Sequence, residues 1–298
     1  MLNKANSQTH LPFPYNKISD LSINQVHQIA AIHTSETAAL DSAFQKNRTM
    51  IIDEENRRKM PSLIDNDTIN LRHSLITFYT SRERMLVDPL LTPEQKQAVI
   101  HLIQIHPNKL SLANFEKYRR KQNGNALCWA ACVQMLLNYY GVQATQQQII
   151  QLVLGSVDNE TENMDDLNKK INGFHPAFDD PNHNSWIVNI NPMPIIPDDM
   201  LVGMMTPFPY YQGKTVEMMV ASNIRLTLIG IENSHLCVVN KIIYKGVAPS
   251  RVPVSITYYD PLLDREVDVQ WNDTQKIITN WYYCFAVNEK QMFPGKKP

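Results

Sequence analysis

Glycine is scarce in this chain: nine residues in 298, about 3% where ~7% is usual. That argues against an enzyme built on a glycine-rich phosphate loop. The run Gly213-Lys214-Thr215 has Phe208 where the first glycine of such a loop belongs. No His-Glu-x-x-His occurs either, which removes the simplest metalloprotease pattern. Charge of one sign is also missing. With 28 basic and 29 acidic residues and a net charge of −1, there is no bulk electrostatic case for nucleic acid or an anionic membrane as partner. No run of about 18 apolar residues is present to cross a bilayer. Four cysteines (Cys128, Cys132, Cys237 and Cys284) are too few for a disulfide scaffold, so a reducing compartment is expected. No apolar stretch of signal-peptide length follows Met1–His10, and the location expected on that ground is cytoplasmic.

Apolar residues make up 43% of the chain and charged residues 19%, enough to bury a core. Residues 1–21 read as a poorly ordered lead-in. Ser22 with Gln25 forms a capping box, and Val26, Ile29, Ala30, His33, Ala38 and Leu40 mark one side of a helix reaching about Arg48. A second helix is expected from Asn66–Asp67, carrying Ile69, Leu75, Ile76 and Tyr79. The third has Thr92 as cap, Pro93 at its first position, Gln95 completing the box, and Val99, Ile100, Leu102 and Ile103 as its apolar face. The charged run 116–121 reads as a solvated boundary, with the domain junction near residue 112. The expected division is a mostly helical region, 1–111, and a second domain, 112–298.

Residues 127–140 are apolar except for Gln134 and Asn138, and Gly141 follows at the C-terminal cap. A helix apolar nearly all round belongs in the middle of its domain. Shorter helices are expected over 145–154, ended by Gly155, and around Met164, Leu167 and Ile171, ended by Gly173. The proline- and aromatic-rich stretch 174–216 shows no period and reads as a long ordered loop over a cleft. A short helix at about 216–222 precedes strands at 224–231, 235–244, 252–260 and 281–287, with a fifth at 265–271. Helices first and strands second imply an α+β fold with an antiparallel sheet.

Cys128 stands at the start of the apolar helix, where unsatisfied N–H groups and the helix dipole favour a thiolate. A lone cysteine on such a helix is ordinarily a small core residue, but its neighbours point elsewhere. Gln122 lies six residues upstream across the turn-like Asn123-Gly124-Asn125, placed to bend a side-chain amide towards an oxyanion forming beside the Cys128 N–H. Trp129 follows directly. Gln122, Cys128, Trp129 and Ala130, in this spacing at the head of an all-apolar helix, resemble the active-site signature of the papain-like cysteine proteases. The Cys-Trp-Ala-Ala helix ending in Tyr139-Tyr140-Gly141, followed by the glutamine-rich 146–154, is especially similar to bacterial branches that include injected effector proteases.

The resemblance implies a papain-like two-lobe domain, with a buried central helix plus antiparallel sheet, preceded by the helical region. It implies Cys128 as nucleophile, His235 at a strand start as general acid/base, Asp260 as the orienter of the imidazole, and Gln122 as oxyanion donor. Strand parity sets Asp260 on the face of Val254, Ile256 and Tyr258, where a carboxylate needs a partner. The implied substrate is a protein or peptide, with no cofactor and no metal; a leaderless export route is the alternative to a cytoplasmic location. Two features depart from the family. Asp260 replaces the asparagine of the plant and lysosomal enzymes, a substitution known among bacterial relatives. Residues 1–111 lack the patterned prosegment of those enzymes. Three other readings remain open at the level of sequence. The same triad could serve a transamidase, deamidase or acyltransferase. Cys128, Cys132, His235 and Cys237 could form a Cys3His zinc site. The fold could also be a non-catalytic binding module.

Overall fold

The computed structural model describes residues 10–57, 64–124, 127–155, 173–175, 186–193, 208–211, 219–223, 226–231, 235–246 and 251–288. It is a mixed α and β chain with a helical N-terminal region, and every strand pairing among the described residues is antiparallel. No helix among these residues is long and apolar enough to cross a membrane.

The N-terminal region is built on α1 (Ile23–Arg57), α2 (Ile64–Val87) and α3 (Pro93–Ile105). The Ser22 hydroxyl accepts from the Gln25 N–H at 3.2 Å and the Gln25 side chain accepts from the Ser22 N–H at 2.7 Å, the expected reciprocal cap. Thr92 and Gln95 cap α3 in the same way. Residues 11–21 are not a loose lead-in: Leu11, Tyr15, Ile18 and Leu21, spaced like one helical stripe, are buried against Val26, Ile29, Val87, Leu91 and Val99. α1 also runs nine residues past Arg48. Its buried face turns onto Phe44 and Ile51, which pack with Leu71, Leu75 and Tyr79 of α2, while Ala38 and Ile76 point outward.

The sheet runs β2 (Gly173–His175), β3 (Trp186–Met193), β10 (Ile278–Asn288), β6 (Leu226–Ile231), β7 (His235–Lys245), β8 (Val252–Asp260), β9 (Arg265–Gln270). β1 (Asn108–Ser111) lies on the helical side of the junction drawn from sequence, yet it pairs with β7 from Lys241 to Tyr244, continuing past the end of β6. A separate ribbon joins β4 (Phe208–Tyr211) to β5 (Met219–Asn223). Three sequence expectations therefore change. The stretch 174–216 contains strands β3 and β4; among the described residues β3 is paired at Pro192 by β10 alone, β2 having covered Trp186–Val188. Residues 219–223 form a strand in place of the short helix, held by pairing with β4. Trp271 leaves the fifth strand to begin α6 (Trp271–Ile277). That helix has no side-chain cap to announce it. Gly173 starts β2, and the helix expected around 164–171 lies outside the described residues.

The central helix α4 (Cys128–Tyr139) is buried along almost its whole length and packs on β7 and β10. Around it gather Phe115, Leu236, Val238, Val239, Ile242, Ile256 and Tyr259. Its two polar residues have defined tasks. Asn138 Oδ1 accepts from the Ala144 N–H at 3.2 Å and Gln134 Nε2 donates to the Ala144 carbonyl at 2.9 Å, so the pair fixes the turn into α5 (Gln146–Leu154). Gly141 (φ 95°) and Gly155 (φ 72°) close the two helices in the left-handed region, as their positions in the sequence imply.

Candidate active site

Leu127, the residue capping α4, supplies no side-chain acceptor to the first turn. The N–H groups there remain directed at whatever anion stands at the helix start. That group is the Cys128 sulfur, which receives the Trp129 N–H from its own helix and the Leu236 N–H, at 3.4 Å, from β7. One helical turn on, the Cys132 thiol donates to the Leu236 carbonyl at 3.2 Å. In a strand the N–H and C=O of one residue point the same way. Two sulfurs one turn apart therefore occupy both polar groups of Leu236, just short of where β8 pairing begins at Val238. This joins the helix start to the strand start.

His235 opens β7 next to Leu236. Counting on from the Val238–Tyr259 pair, Cys237 stands opposite Asp260, and strand alternation puts His235 and Cys237 on one face. His235 Nε2 and Asp260 Oδ1 are 2.8 Å apart. The same oxygen accepts the Leu262 N–H at 2.8 Å and the Leu263 N–H at 3.1 Å, which fixes the carboxylate at the turn after β8. With Nε2 committed to Asp260, Nδ1 is the ring nitrogen left for the hydrogen bond between His235 and Cys128. The Asp260 side chain is 8% exposed and that of His235 20%, with Cys128 buried, so the imidazole is the most exposed member of the array.

The electrostatics of the pair are reciprocal. Burial pushes the Cys128 thiol up, but hydrogen bonds from His235, Leu236 and Trp129 and the His235 charge outweigh it, and the net shift is downward. Burial pushes His235 down, but hydrogen bonds to Cys128 and Asp260 and their negative charges outweigh it, and the net shift is upward. Both changes favour thiolate and imidazolium together. Cys237 moves oppositely: burial, then Asp260 and Cys128, raise its thiol far above the ordinary range.

Of the four residues singled out from sequence, the structure brings Cys128, His235 and Asp260 into one connected array. Gln122 is tied to it through the backbone, its N–H donating to the Pro261 carbonyl at 3.0 Å beside Asp260. Its Nε2 donates one hydrogen to the Gly124 carbonyl at 2.7 Å, and its Oε1 is buried with no partner among the described residues. Leu236 was not legible as a site residue, and Cys132 was legible only as a candidate zinc ligand, since nothing in a buried Cys-x-x-x-Cys or an apolar strand marks a backbone clasp. Among the described residues His235, Cys237 and Asp260 are a group that could hold a metal ion, with ligand atoms within 4.8 Å of one another. This differs from the Cys3His set considered from sequence: neither Cys128 nor Cys132, whose thiol donates to the Leu236 carbonyl, belongs to the group, and Asp260 does. Models of known protein families do not match this chain, and no curated protein matches it.

Proposed function

We propose that the chain is a papain-like cysteine protease, hydrolysing peptide bonds through an acyl-enzyme on Cys128. One observation supports this above the others: a thiol at a helix N-terminus shares a hydrogen bond with an imidazole whose far nitrogen is held by a fixed carboxylate. A buried metal site or a packing cluster has no need of that order.

In this reading the Cys128 thiolate attacks the scissile carbonyl carbon, forming the C–S bond and placing negative charge on the carbonyl oxygen. The Cys128 N–H and the second hydrogen of the Gln122 amide stabilise that charge; removing one such donor typically costs about 100- to 1,000-fold in turnover. The His235 imidazolium gives its proton to the leaving nitrogen as the C–N bond breaks. Neutral His235 then takes a proton from water, whose oxygen attacks the thioester carbonyl and releases the acid, restoring the ion pair. Asp260 sets the tautomer and supports the imidazolium charge. α4 then belongs to one lobe and the β7–β8 face to the other, and the substrate is a protein or peptide entering where His235 is exposed.

The test is N-terminal labelling of a cell lysate incubated with wild-type protein or with Cys128→Ala. New N-termini are expected with the wild type alone. Their absence, together with a one-dalton gain or an amine adduct on an intact substrate, would replace proteolysis by deamidation or transamidation. Equal cleavage by Cys128→Ala would end the proposal.

A further inference from the structure

Residues 121–124, which carry Gln122, have no helix or strand to hold them. An oxyanion donor on such a segment needs support, because a displacement of about 1 Å can cost on the order of 100-fold in rate. The support comes from one buried side chain. Gln146, the first residue of α5, is 3% exposed. Its Nε2 donates to the Lys121 carbonyl at 2.8 Å and to Gln134 Oε1 at 3.2 Å. Its Oε1 accepts the Asn123 N–H at 2.9 Å. Both N–H groups and the carbonyl of this amide are thus used, and two of the three bonds go to the residues immediately before and after Gln122. The third reaches α4 through Gln134, six positions after Cys128. The backbone of α5 is independently fixed by the Thr145–Gln148 capping box, so the Gln146 side chain starts from a rigid base.

We infer that Gln146 is a positioning residue that sets the place of the Gln122 amide relative to Cys128. The inference rests on the thiol protease reading above and goes beyond it by naming what aligns the oxyanion donor. Gln122 is then held from three directions: at its own N–H by Pro261, and on both flanks by Gln146. α4 is the common reference, since it carries both Cys128 and Gln134. Removing Gln146 frees the loop without touching the Cys128–His235 pair.

Two reagents separate these effects. Iodoacetamide alkylates the thiolate with departure of iodide and forms no oxyanion. p-Nitrophenyl acetate acylates the same sulfur through a tetrahedral oxyanion, with C–S formed, C–O broken and p-nitrophenolate released. In Gln146→Leu, alkylation of Cys128 stays within about twofold of wild type while acylation slows by about 10- to 100-fold. In a Gln122→Ala background, adding Gln146→Leu costs less than about threefold more, because the two residues act as one unit. Acylation of Gln146→Leu within twofold of wild type overturns the inference, as does a full multiplicative loss in the double variant or a parallel fall in alkylation. Should the leucine variant not fold, Gln146→Glu decides. Its carboxylate keeps the acceptor for Asn123 and loses the donors, and one donor returns on protonation. The ratio of its acylation rate to that of wild type therefore rises as pH falls, and a flat ratio at the wild-type level contradicts the proposal. A Gln122→Ala variant that acylates as fast as wild type, with Cys128 still reactive, removes the oxyanion donor and this inference with it, but leaves the nucleophile standing. A Cys128 no more reactive than Cys132 or Cys237 defeats the protease reading itself.

Discussion

Replacing His235 by alanine removes the hydrogen bond and the positive charge that hold the Cys128 thiol below its ordinary range, and leaves the burial that raises it. The Leu236 and Trp129 N–H groups remain to oppose that burial. A thiol at the ordinary value of about 8.5 is roughly 0.3% ionised at about pH 6 and about 3% at about pH 7. Full ionisation by the pair would thus raise the reactive fraction by at most ~300-fold at the lower pH and ~30-fold at the higher. Part of this gain is offset because a less basic thiolate is also a weaker nucleophile. The assay is the pseudo-first-order rate of iodoacetamide alkylation of Cys128, followed by mass spectrometry against pH. The variant is expected to rise about tenfold per pH unit through the neutral range, with wild type well above it in acid and the two curves converging above about pH 9. Superimposable curves would show that the imidazole does nothing for the sulfur, and the reasoning would fail.

Asp260→Asn keeps an acceptor for His235 and for the Leu262 and Leu263 amides but removes the negative charge that helps to raise the imidazole. Turnover needs thiolate, present above the lowered Cys128 value, and imidazolium, present below the raised His235 value. The alkaline limb of kcat/KM should therefore move to lower pH by about one unit, and an unmoved limb would contradict the assigned role. Cys132→Ala leaves the Leu236 carbonyl without its thiol donor, which should cost about 1–3 kcal/mol of stability. Thermal unfolding checks this: Cys132→Ser should recover part of the loss, and an unchanged midpoint in the alanine variant would remove the clasp.

Local chemistry made much of the fold readable. The capping residues Ser22 and Thr92 act within three residues of themselves, and both helix starts are where their side chains place them. The nearly all-apolar 127–140 contains the expected buried helix, and β8 spans the expected 252–260. Failures occurred where distant partners decide. The aperiodic, proline-rich 174–216 read as a loop because the strand that pairs with 186–193 lies about 90 positions later. Leu11, Tyr15, Ile18 and Leu21 were set aside as a lead-in because the surface that buries them is made by Val87, Leu91 and Val99. The array was legible for the same reason in reverse: Cys128, His235 and Asp260 each carry a chemical type and a strand or helix terminus that narrow their use. Gln146 carries neither. Among three consecutive glutamines only the folded chain distinguishes the one that is buried and bonded on all sides from the one that caps the helix.

Ionisation of Cys128 itself can be followed as the ultraviolet thiolate absorbance lost on Cys128→Ala, recorded against pH. A charged pair with His235 predicts that this difference is already present in mildly acidic solution and grows little through the ordinary thiol range. A difference that develops only at about pH 8.5 or above would mean a neutral thiol facing a neutral imidazole, and would contradict the protease chemistry built on it.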